Sequence, residues 1–126
     1  MAIINEVSRL AAGVVPALEA VVEKRAALAR EIAALEKAGI VNATPFWNKG
    51  RYLYLSYPMK NYDRQREYVG ADQARIGEAL AKVERFKTHK ALSQELSAVD
   101  AAFQGAHHAL REFFYALDSW KSGAKK

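Results

Sequence analysis

The chain is 126 residues long, with 19 Lys and Arg against 14 Asp and Glu, a formal charge of +5, and no cysteine. That length suits one domain with a modest core, and a composition half apolar and a quarter charged excludes a disordered chain. Without cysteine there is no disulfide framework and no cysteine-held zinc, which fits a reducing compartment, read here as the cytoplasm.

The first stretch carries a seven-residue stripe: Val7, Val14, Val21, Leu28 and Leu35, with Ile4, Ala11, Leu18 and Ile32 between them. Arg25 is the single polar exception. Such a seam belongs to a helix packed along its length on another helix. Pro16 falls inside it, with Gly13 just before. Proline costs about 3 kcal/mol in a helix interior but is tolerated in a first turn. The pattern predicts a short helix over about 3–12, a break, and a longer helix over about 16–37 that Ala38-Gly39 ends. Glu6 and Arg9 interrupt the apolar start, so no signal peptide is expected. No run of about twenty apolar residues offers a membrane span, so no membrane partner is expected either.

Residues 40–48 read as a connector that Phe46-Trp47 pins down. Residues 51–69 read as a two-stranded β-hairpin. Leu53, Leu55 and Tyr57 alternate with Tyr52, Tyr54 and Ser56, the period that sends successive side chains to opposite faces. The run PMKNYD supplies Pro, Asn and Asp for a turn. A second strand follows, with Arg64, Arg66 and Tyr68 on one face and Gln65, Glu67 and Val69 on the other. Such a hairpin is marginal alone, so one face leans on a helix and the other is free to touch something.

Asp72 is placed to cap a helix over about 72–89, whose stripe is Ile76, Leu80, Val83 and Phe86. Leu92, Leu96, Val99, Phe103, Ala106, Leu110, Phe113, Leu117 and Trp120 form another stripe. The two are out of phase near 87–90, which predicts a break and a last helix over about 91–120, with a frayed tail at 121–126. The fold expected is mostly α in a single domain: a helical bundle or antiparallel coiled coil with an inserted two-stranded β-hairpin. The helical stripes pair with each other or with a second copy of the chain, a homodimer.

The charge excess is confined to residues 49–90, where ten basic residues face five acidic ones; the remainder is neutral. Seven of the thirteen Phe, Trp and Tyr residues also lie between Phe46 and Gly70. Cations and rings together suggest nucleic acid, DNA or RNA. Lys49, Arg51, Lys60, Arg64 and Arg66 can meet phosphates, and Tyr52, Tyr54, Tyr62 or Trp47 can stack on bases. Lys82, Arg85, Lys87 and Lys90 could extend a phosphate track along the next helix. The plainer alternative packs the tyrosines on the helices and leaves the cations solvated. His107 and His108 point about 100° apart on a helix and have no evident third partner, so no metal and no cofactor are expected. With no glycine-rich phosphate loop and no nucleophile elbow, the expectation is a protein that is not an enzyme. A protein-protein adaptor or inhibitor using the same aromatic surface is the competing class.

The run GRYLYLSYP, then RQREYVG, then the helix containing ALAKVERFKTHKALSQEL resembles a family of small bacterial proteins with a tyrosine-rich hairpin followed by a helix and coiled coil. Such proteins are associated with transposons, plasmids and other mobile elements. The resemblance spans residues 50–96, and the cysteine-rich entry of some relatives is missing here. It implies a bacterial or phage cytoplasmic protein that handles nucleic acid, and names no reaction.

Overall fold

The computed structural model describes residues 1–124, with the side chains of the last helix described as far as Lys121. The order of elements is α1 (Ala2–Ala12), α2 (Val14–Ala38), β1 (Thr44–Asn48), β2 (Tyr52–Ser56), β3 (Arg66–Gly70) and α3 (Gln73–Ala124). The chain is mostly helical. Among the described residues no helix is long and apolar enough to cross a membrane. The contacts divide into two units: Ala26–Gln94, and Met1–Arg25 together with the segment from Glu95 onward.

The sheet sits in the first of these units and has three strands, not the expected two. Strand order is β1-β2-β3, antiparallel throughout, with Phe46 opposite Tyr54 and Tyr54 opposite Tyr68. Residues 44–48 were expected in a connector. They form a strand because the chain reverses tightly after them. The Arg51 amide donates to the Asn48 carbonyl at 3.3 Å, and the two central residues, Lys49 and Gly50, both have positive φ. That left-handed turn matches the twist of paired strands. A second such turn closes the β2–β3 loop, with Asn61 and Tyr62 at positive φ and Lys60 and Asp63 exchanging backbone bonds at 2.8 and 2.9 Å.

One face of the sheet builds the core. Leu53, Leu55 and Val69 are buried with Ile76 and Val83 of α3, and Val41, Ala43, Tyr57, Ala79 and Leu80 pack around them. Full burial of each such aliphatic side chain stabilises by about 1.5–3 kcal/mol. A bulge at the Leu53–Tyr54 step leaves Val69 as the extra residue of β3, so Val69 enters the core while Tyr68 stays opposite Tyr54.

The helix ends follow local chemistry. The Asp72 carboxylate accepts the Arg75 amide at 3.3 Å, capping α3 as its position predicted. Gly39 terminates α2 at φ +104°, a conformation that glycine adopts cheaply. Pro16 lies in the first turn of α2, which begins at Val14, and Gly13 alone separates it from α1. Proline has no amide proton, so the Ala12 carbonyl loses the partner a continuous helix would give it.

The break expected near 87–90 is absent: α3 runs from Gln73 to Ala124 as one helix, and the tail expected to fray is helical to Ala124. Lys125 and Lys126 lie outside the described residues. The phase slip needs no break because the two stripes serve different neighbours. Ile76 and Val83 face the sheet, whereas Leu110 and Phe113 line an apolar groove with Val7, Leu10 and Val14 in the other unit. In that unit Arg25 pairs with Asp100 at 2.6 Å and Lys24 with Glu95 at 3.2 Å.

Candidate nucleic-acid interface

The second face of the sheet is open. Alternation sends Tyr52, Tyr54 and Ser56 away from Leu53 and Leu55, and antiparallel pairing brings Phe46 and Tyr68 beside Tyr54. The result is an aromatic row across all three strands. Phe46 and Tyr54 stack with centroids 5.3 Å apart and planes at 15°; Tyr54 and Tyr68 lie 5.0 Å apart, tilted at 53°.

Two arginines rest on rings of this face. Arg66 is paired with Ser56, whose small side chain lets the guanidinium cross β2 and lie 5.4 Å from the Phe46 centroid. At the other end Arg51 lies 4.9 Å from the Tyr52 centroid and donates to its hydroxyl at 2.8 Å. Among the described residues no carboxylate forms an ion pair with Lys49, Arg51, Lys60, Arg64 or Arg66. Glu67, next to Arg66 in sequence, accepts a hydrogen bond from the Tyr57 hydroxyl. That bond, aided by burial and by the carboxylate's charge, raises the Tyr57 phenol above its ordinary value. Asn48, Lys49, Tyr52, Tyr54 and Tyr68 line a depression of about 260 Å³ on the open face.

Of the sequence-predicted residues, the structure brings Lys49, Arg51, Tyr52, Tyr54 and Arg66 together on this face. Lys60 flanks the turn at the tip of the β2–β3 loop, where Tyr62 is fully exposed. Arg64 lines a small hollow beside Thr44, Ser56 and Tyr57. Phe46, Asn48 and Tyr68 belong to the face but were not among the predicted contacts. The signal for the first two was the Asn-Lys-Gly turn, which turns the preceding residues into a strand.

The α3 cations are placed elsewhere, because α3 packs on the leucine face of the sheet. Arg85 donates to the Gly39 carbonyl at 2.7 Å and to the Ala38 carbonyl at 3.2 Å, so it caps the end of α2 and does not continue a phosphate track. The Lys82 side chain pairs with Glu78 at 3.4 Å, and its carbonyl accepts the Val41 amide at 3.1 Å. Lys87 pairs with Glu84 at 3.0 Å, and Lys90 is exposed on the helix. His89, which shares the Lys82–Arg85 face, meets Glu36 at 2.9 Å. Compared with family models, curated proteins and solved structures, the chain finds no match.

Proposed function

We propose that this is a non-enzymatic nucleic-acid-binding protein that holds a single strand of DNA or RNA on the open face of its sheet. The observation that carries this reading is the Phe46–Tyr54–Tyr68 row, flanked by guanidinium groups that rest on rings and not on carboxylates. Ring faces and edges receive bases, and unneutralised cations receive phosphates. The number of strands favours a single-stranded ligand: a major groove admits a helix or a two-stranded ribbon, whereas a three-stranded sheet is a platform for unpaired bases. Arg51 and Arg66 stand near opposite ends of a face roughly 13 Å long, taking the rise along β2. A base enters the depression between Tyr52, Tyr54 and Tyr68, with Lys49 at its rim.

The helices are the scaffold in this reading, their heptad stripes acting as a coiled-coil seam. We extend the proposal to a bacterial cytoplasmic setting, which is what the resemblance of residues 50–96 to mobile-element proteins implies.

Anisotropy titrations of labelled oligo-dT, oligo-U and a mixed duplex, each at two salt concentrations, test the proposal. The parent is expected to prefer the single strands and to weaken as salt rises. Arg51→Ala with Arg66→Ala should weaken binding and reduce the salt slope by roughly 1.4, at about 0.7 per lost phosphate contact on a single strand, with the helical circular dichroism unchanged. Equal binding by variant and parent refutes the assignment. Binding only to a protein partner, insensitive to salt, would instead make the face an adaptor surface.

A further inference from the structure

We infer that a second copy of this chain docks on the apolar side of the unit built from α1, the start of α2 and the end of α3. Among the described residues, every buried side chain lies in the sheet-bearing unit: Leu28, Leu53, Leu55, Val69, Ile76 and Val83. The helical unit buries none. Helices gain most of their stability from packing an apolar face, and a stable domain needs layers that cover one another. Here the faces are present and uncovered. Ile3, Ile4, Leu10, Phe114, Leu117 and Trp120 are each more than half exposed. Beside them runs a groove of about 240 Å³ whose lining is apolar throughout, with Val7 and Val14 on one side and Leu110 and Phe113 on the other.

Charge and area identify the occupant. Residues 1–25 and 95–126 contain seven basic and seven acidic side chains, so this unit is neutral while the sheet-bearing unit carries the whole excess. A neutral apolar surface repels neither itself nor its copy. Its amphipathic N-terminal helix also lacks the basic flank that holds such a helix on an anionic lipid surface, since α1 offers only Arg9 beside Glu6. Exposed aromatic side chains, at roughly 150–250 Å² each when buried, together with the aliphatic ones, supply about the 800 Å² per partner that a standard interface requires. Two copies related by a two-fold axis would pair this face with itself and close a helical bundle around the groove residues. The inference is independent of nucleic-acid binding.

Sedimentation equilibrium of the full chain in high salt, across a wide concentration range, should give the mass of two chains. Leu10→Asp, a change at an exposed position, should give the mass of one chain with helicity retained. A second measurement needs no disruptive variant. In a Trp47→Phe background the emission of Trp120 should shift to the blue as concentration rises, with the same midpoint as the mass change. A parent that stays a single chain at the highest concentration overturns the inference, whether or not it sediments with neutral or anionic vesicles. So does a dimer whose Trp120 emission does not move.

Discussion

Arg66 and Arg85 are both candidate phosphate contacts in the sequence, and their surroundings separate them. Arg66 lies over Phe46 with no acid beside it, whereas Arg85 supplies two hydrogen bonds to the last carbonyls of α2. Arg85→Ala is therefore expected to lower stability by about 1–2 kcal/mol in urea unfolding while the folded protein binds nucleic acid as before. Arg66→Ala should do the reverse. No sequence pattern marks Arg85 for this role, because its acceptors are backbone carbonyls. Tyr57 gives a pH dependence with a definite sign. Its hydrogen bond to Glu67 keeps the phenol protonated above the ordinary range, so the folded chain retains a proton that the unfolded chain releases near pH 10. The stabilisation is complete below that pH and is lost as pH rises through the raised value. Unfolding midpoints measured from neutral pH to about pH 11 should fall more steeply for the parent than for Tyr57→Phe.

At the level of elements, the helices were legible and their interruptions only partly so. Proline and Gly13 marked the end of α1, and glycine and Asp72 marked the termini of α2 and α3. The out-of-phase stripes in α3 pointed to a break that is not there. A change of stripe records a change of neighbour, and only the neighbours' positions tell that apart from a change of element. Ala91 tests the point: it is exposed within α3, so Ala91→Gly should cost about 1 kcal/mol in urea unfolding, whereas a break at that position would make the change nearly neutral. Strand β1 was hidden for a different reason. Its one proline and short length resemble a connector, and the turn that converts it into a strand depends on Lys49 adopting a left-handed conformation, which lysine rarely advertises. Arg25 shows the opposite case. The one polar residue in the seam proves to meet Asp100, and that contact also lowers the Asp100 pKa. A polar pair at such a position fixes register more than it adds stability.

For the whole molecule, charge arithmetic was enough to locate the excess, and the sheet-bearing unit that carries it, Ala26–Gln94, is distinct from the neutral helices. Period-two alternation showed that the hairpin has two unlike faces, and the packing of Ile76 and Val83 shows that the leucine face is the covered one. What the alternation could not show was which side of α3 receives that face, and so four α3 cations were grouped with a surface they do not share. Pro16 carries a mechanical meaning for the complete chain. Because Pro16 has no N–H to give the Ala12 carbonyl, flexing there severs fewer bonds than it would in a continuous helix, although Gly13 still donates to Arg9 and accepts from Ala17. The eleven residues of α1 are too few to stay wound in water unaided. They hold their shape only while something lies against them, which makes this segment the first to peel away and the one whose protection from amide exchange reports whether its neighbour is in place.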